Sequence, residues 1–205
     1  AGNGALDQPI EAAAALALAA SNQNSATAHL VAARVARRAG DRDRAAREVD
    51  RGLLLQPDAP GLLELRGLSL MESGDGVAAL EDLDAAVLNS DDPFTHAVRA
   101  EVLFALHRFE EAEREWTLVL RRDSDFPAAY LGRARCHLAD QPKSLELALA
   151  DLERASSWAQ NDLKLELRIL ANYARCLRER PDRFPRWLTL ARRAALHAWR
   201  RLSGL

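Results

Sequence analysis

PGLLELRGLSLMESGDGVAALEDLDAAVLNSDD, residues 60–92, carries the pattern that decides the fold. Pro60 suits a first helical turn, where its missing N–H has no partner to lose. Gly67 places a small residue eighth in the stretch. Ala79 and Ala86 add two more, with the bulky Leu83 between them. Two helix-length segments meet at Gly74-Asp75, where glycine can take the left-handed conformation that closes a helix C-terminus. Small side chains at such places let two helix backbones approach closely, so the stretch reads as an antiparallel helix pair.

Working outward, the same pattern recurs near every 34 residues, the period of helix-turn-helix arrays. The cuts fall at 26–59, 60–92, 93–126 and 127–161, with a small insertion at Gln141-Pro142. The eighth place holds Ala33, Gly67, Ala100 and Ala134. The second helices begin with Ala45, Ala79, Ala112 and Ala148, and seven residues later come Gly52, Ala86, Val119 and Ala155. Between these lie Val49, Leu83, Trp116 and Leu152. Gly40-Asp41 repeats the turn of Gly74-Asp75, while the third unit has His107 there. Pro57 ends the first unit, and Pro93 and Pro127 open the third and fourth as Pro60 opens the second.

This set of residues resembles the tetratricopeptide repeat family over about Ala26 to Asn161. The resemblance implies an all-α, right-handed superhelical array, an α-solenoid of antiparallel helix pairs with about four full repeats. It departs from the family at the large aromatic near each unit's start (His29, Leu63, His96, Tyr130) and in lacking terminal prolines in the last three units. Outside the repeats, residues 8–20 read as a half-repeat helix through Ala12, Leu16 and Ala19. Residues 162–202 read as a long C-terminal helix pair that caps a single domain spanning 1–205. Its first helix carries Leu163, Leu167, Leu170, Ala174 and Leu177 on one stripe. Its second, Phe184 to Leu202, turns Leu188, Ala191, Ala195, Ala198 and Leu202 inward and an arginine-rich face outward.

The resemblance also implies that the first helices line a concave groove. Residues three and four apart share a helical face, which gives Thr27, Leu30, Arg34, Arg37 and Arg38, then Glu64, Leu68, Met71 and Glu72. Phe94, Ala97, Glu101, Phe104 and Ala105 follow, then Leu131, Arg135, Leu138 and Ala139. From these the expected peptide-binding set is Leu30, Arg34, Arg38, Glu64, Leu68, Met71, Phe94, Glu101, Phe104, Leu131, Arg135 and Leu138. A groove apolar in its middle and charged at its edges suits an amphipathic helix or an extended peptide. The lysine and asparagine clamp with which some relatives hold acidic chaperone tails is missing, since Leu30, Arg34, Leu65, Phe94 and Val98 stand in its places.

A second row, Arg66, Arg99 and Arg133, sits at the seventh place of three units, where the first has Ala32. Asp82, Glu115 and Asp151 stand at the facing place of each second helix. Opposite charges that co-occur in this way point to ion pairs within each unit rather than to a ligand ladder.

Composition narrows the function. With 205 residues, 48% of them hydrophobic, the chain can bury a continuous core. A formal charge of −2 gives no overall basic field for phosphate backbones, so no nucleic acid is expected. Charge is uneven: residues 67–126 hold 5 basic and 14 acidic side chains, a balance of −9, and residues 178–205 hold 8 and 2, a balance of +6. Solvated helix faces account for this, though self-association through array ends is a second reading. The longest apolar stretch, Ala12 to Ala20, falls short of the ~20 residues of a membrane span. The chain opens Ala1-Gly2-Asn3-Gly4 without methionine, as an excised or processed product would. Apart from Lys143 and Lys164 its 28 basic residues are arginine, as in a GC-rich bacterial source. The compartment stays open, with the cytoplasm as the default.

Chemistry-bearing motifs are scarce. His29, His96, His107, His137 and His197 are scattered, and Cys136 and Cys176 lack CxxC spacing. GxSxG, GxxxxGK[ST] and GxGxxG do not occur. Asp41 with Asp43, and Asp91 with Asp92, suit helix N-caps and turns. No catalytic residue, metal or cofactor is expected. The leading reading is a non-catalytic interaction scaffold for another protein or peptide. Its alternatives are a regulatory or structural segment of a larger, possibly enzymatic, bacterial protein and a self-assembling array.

Overall fold

A computed structural model describes residues 24–139, 145–158 and 163–179. Among the described residues the chain is all helix and turn, in nine helices: α1 Ala26–Arg38, α2 Arg42–Leu55, α3 Pro60–Ser73, α4 Gly76–Asn89, α5 Pro93–Ala105, α6 Phe109–Arg122, α7 Pro127–Ala139, α8 Leu145–Trp158 and α9 Leu163–Glu179. The expected helices at 8–20 and 184–202, and the insertion at Gln141-Pro142, lie outside the described residues.

Short polar turns set the phase of the pairs. Gly40 and Gly74 both take a positive φ, 80° and 91°. In each turn the next amide reaches back into the finished helix, Asp41 to the Ala36 carbonyl at 3.0 Å and Asp75 to that of Leu70 at 2.9 Å. The same aspartates then start the following helix: Asp41 Oδ1 accepts from the Arg44 amide (3.0 Å) and Asp75 Oδ1 from that of Ala78 (3.1 Å). Each Gly-Asp pair thus satisfies orphan groups of two helices at once. His107 occupies the same geometry at φ 60°, with Arg108 bonding back to Leu103 at 2.9 Å, but Arg108 offers no side-chain cap.

The chain divides into two compact units, Ala1–Val102 and Leu103–Leu205. In the first, α1 pairs with α2 and α3 with α4 around Ala33, Val49, Leu53, Leu62, Leu63, Leu65 and Ala86. In the second, α7, α8 and α9 pack around Leu131, Ala134, Leu152, Ile169 and Tyr173. Each fully buried leucine contributes about 1.5–3 kcal/mol.

The small residues sit where backbones meet, and Ala33, Gly67, Ala79, Ala86, Ala100, Ala112, Ala134, Ala148 and Ala155 are all buried. Gly132 is a further case. A Cβ there would stand 2.3 Å from Cε2 of Trp116, so the indole of α6 lies directly on the α7 backbone.

Within the stripe read from the sequence of α9, Leu167 and Ala174 are exposed and Leu170 is half-buried. Ile169, Tyr173 and Cys176 are buried instead, with Leu165 packed beside them. A helix with two apolar stripes buries the one carrying the larger ring, which removes more apolar area from water.

Candidate functional site

Four carboxylates occupy one place on the second helices: Glu48, Asp82, Glu115 and Asp151. All four are buried. A buried carboxylate needs a cation or donors, and the described pairs supply them in different ways. Arg66 forks onto Asp82 with two hydrogen bonds of 2.6 Å, and Arg133 onto Asp151 at 2.8 and 2.7 Å. These hydrogen bonds hold both guanidinium pKa values above the ordinary arginine range. Arg99 donates to Asp84 of α4 at 2.7 Å, a partner that the facing-charge reading missed. In the first pair, where Ala32 takes the arginine's place, His29 Nδ1 lies 2.7 Å from Glu48 Oε2 and Arg51 donates to Oε1 at 3.3 Å. The Arg66 and Arg133 rows are therefore structural, as expected.

His137 is similarly enclosed. It is buried with Nδ1 3.7 Å from Glu113 and Nε2 3.6 Å from Asp151, in the same network as Arg133. Burial pushes the Cys176 thiol up to about 11, so it is a packing group rather than a nucleophile. Among the described residues no cluster of three or more His, Cys, Asp or Glu could hold a metal ion, and no helix is long and apolar enough to cross a membrane.

What remains is the first-helix face. In the N-terminal unit α1 lies against α3: a Cβ at Gly61 would meet Leu30 at 2.9 Å and the Arg34 guanidinium at 3.5 Å. Arg34 and Arg38 are exposed, while Leu30, Leu68 and Met71 are half-buried. Glu64 is corrected from a surface contact to an internal one. It is 3% exposed and takes a hydrogen bond from the Thr95 hydroxyl of α5. Burial raises its pKa, with Asp92 adding to the rise, against the Thr95 bond and the Arg34 charge, which lower it. Phe94 is exposed and Glu101 half-buried. A cleft of about 450 Å³ opens between the first turn and the end of α3, where Glu72 bridges Arg37 (2.7 Å) and Arg42 (3.5 Å).

In the C-terminal unit Arg135 lays its guanidinium over the Phe104 ring, 4.1 Å from its centre. Leu138 is half-buried at the core's edge, and its carbonyl accepts from Arg175 at 3.0 Å. Leu131 is corrected as Glu64 is. At 1% exposure it belongs to the core, because the face of a helix packed on two neighbours is narrower than the spacing rule alone implies. Sequence reading missed Gly61 and Thr95. Gly61 has a signal, a glycine inside a helical pattern, which points to close approach.

No family model matches the chain, and no curated protein matches it by sequence. Solved structures do match. The crystal structure of MamA is 16% identical with a TM-score of 0.65, over 82% of this chain and 95% of that one. PilW, described as a widely conserved type IV pilus biogenesis factor, is 18% identical with a TM-score of 0.64, over 77% and 74%. YrrB, described as a TPR protein with an unusual peptide-binding site, is 15% identical with a TM-score of 0.60, over 89% and 95%. At these identities the likeness is one of fold. Repeated antiparallel pairs, small residues at the backbone contacts and these matches together establish that the chain has the all-α helical-repeat fold of tetratricopeptide proteins.

Proposed function

We propose that the chain is a non-catalytic interaction scaffold that holds a peptide or helix of another protein on its first-helix face. Leu30, Arg34, Arg38, Leu68 and Met71 form the contact set of the N-terminal unit. Phe104, Arg135 and Leu138 form that of the C-terminal unit, and residues 26–59, 60–92, 93–126 and 127–161 are the repeating modules.

The observation that carries this reading is the state of the α1–α3 face. Its neighbours inward are fully packed, yet its own leucines and Met71 stay half-exposed beside two exposed guanidinium groups. Apolar anchors rimmed by charge suit an amphipathic ligand. The peptide-binding site ascribed to YrrB supports the fold's suitability for such work.

Selection of a displayed peptide library on the immobilised chain tests it. Peptides enriched on the chain should lose about tenfold or more in affinity against an Arg34→Glu/Met71→Glu variant whose helicity by circular dichroism is unchanged. Equal affinity for chain and variant would move the site off this face.

A further inference from the structure

The outer face of α4 carries a second, unlike surface. Val77, Glu81, Asp84 and Leu88 follow one another at spacings of four, three and four, the spacing of one seam along a helix. All four are exposed, with Val77 at 65% and Leu88 at 87%. At about 1.5 Å per residue the seam is some 16 Å long, three turns of helix. It is apolar at both ends and acidic between.

Two further facts single it out. Between Gly76 and Asn89 there are three carboxylates and no basic residue, and Asp91 and Asp92 follow after Ser90. Arg66 engages Asp82 and Arg99 engages Asp84, but among the described residues no cation pairs with Glu81. The matching places of α2 hold Asp43, Arg47, Asp50 and Leu54. There Arg47 stands between Asp43 and Asp50, so that seam carries its own cation in its middle where α4 has Glu81, although Leu54 is 84% exposed.

We infer that the α4 seam docks a basic amphipathic helix from a partner protein, with apolar side chains seated against Val77 and Leu88 and a cation between them against Glu81. Charge selects the occupant. An apolar helix would bury Glu81 without compensation, and an acidic one would face like charge, whereas a basic one neutralises the carboxylate while burying both exposed aliphatic groups. This surface is distinct from the first-helix face, so the two readings stand or fall separately.

The test uses a helical peptide of about 20 residues, with leucine at the outer and arginine at the inner positions of a matching seam, and a control with glutamate at the inner positions. Binding to the full chain is read by fluorescence anisotropy. The basic peptide should bind, the acidic control should bind at least about tenfold more weakly, and added salt should weaken the basic peptide further. Val77→Gln/Leu88→Gln should cost about tenfold, and Glu81→Lys more than Asp84→Asn, because Arg99 already satisfies Asp84. Circular dichroism and binding to the first-helix face should be unchanged in these surface variants. Failure of the basic peptide to bind, or equal binding by the Val77→Gln/Leu88→Gln variant, would overturn the inference. So would light scattering that shows self-association of the chain abolished by the same variant, since a second copy would then be the occupant.

Discussion

The two units meet the same demands with different residues. In the N-terminal unit the turns close on Gly40 and Gly74, the buried Glu48 is met by an imidazole and Asp82 by the fork of Arg66, and Leu83 fills the space between the paired helices. In the C-terminal unit a turn closes on His107, Asp151 is met by the fork of Arg133 with His137 beside it, and Trp116 lies on the backbone at Gly132. What is constant is the demand: a left-handed turn, a cation for a buried acid, a filled space between backbones. Which residue supplies it varies. Both units rely on complementary pairs, Glu48 with His29, Asp82 with Arg66 and Gly52 with Leu62 in the N-terminal unit, Asp151 with Arg133 and Gly132 with Trp116 in the C-terminal one.

Breaking those pairs should cost most where the two members are coupled. Gly132→Ala forces a methyl group into the Trp116 ring and should destabilise by about 3 kcal/mol, measured by urea denaturation. Combining it with Trp116→Leu should recover much of the loss, whereas the N-terminal counterpart Leu65→Ala, which only opens space, should show no coupling to Trp116.

Removing a cation comes next. Arg133→Met leaves Asp151 buried without its fork and should cost about 2–3 kcal/mol. Arg66→Met should cost about 1 kcal/mol, because the Arg66 side chain is 42% exposed against 23% for Arg133 and water replaces it more readily.

At the turns the effect is smaller and opposite in sign between the units. A non-glycine residue at positive φ costs about 1–2 kcal/mol, partly offset by the edge contact of His107 with Phe109, 5.5 Å between ring centres. His107→Gly should therefore raise stability by about 0.5–1 kcal/mol, and Gly74→Ala should lower it by about 1 kcal/mol, both visible as shifts of the denaturation midpoint.

The smallest effect is Glu64→Gln. Because burial raises the folded-state pKa of Glu64 above 4.5, the folded chain holds this proton more tightly than the unfolded one. Its ionisation is a destabilising contribution, present above the raised pKa and relieved as pH falls towards 4.5. The variant should be the more stable at neutral pH, with the difference shrinking under mild acid. A difference that grew in acid would reverse the assignment.

Most of the pairwise architecture was legible because its signal is local. A glycine at a turn and an alanine at a backbone contact have few substitutes, so Gly74, Ala79 and Ala134 betray their roles singly. Complementary pairs are harder to read. Trp116 with Gly132 stands out only when both places are compared with Leu83 and Leu65 in the repeat 60–92. Likewise His29 serves Glu48 from a different place than Arg66 serves Asp82, so a search for arginine ladders passes over it. For the candidate site, helical spacing picks out residues on one side of α1, α3 and α7 but not how far the neighbouring helices reach around that side. Arg34 stands exposed and Met71 half-buried on that side, whereas Glu64 and Leu131 are buried, since the Thr95 hydroxyl of α5 and the α8–α9 core cover them.

A partner segment lying on the first-helix face would shield the amides beneath it. Hydrogen–deuterium exchange of the chain with and without a selected peptide tests it most directly. New protection is expected in α1 and α3 around Arg34, Arg38, Leu68 and Met71, with α2 unchanged. Protection confined to the second helices, or none at saturating peptide, would contradict it.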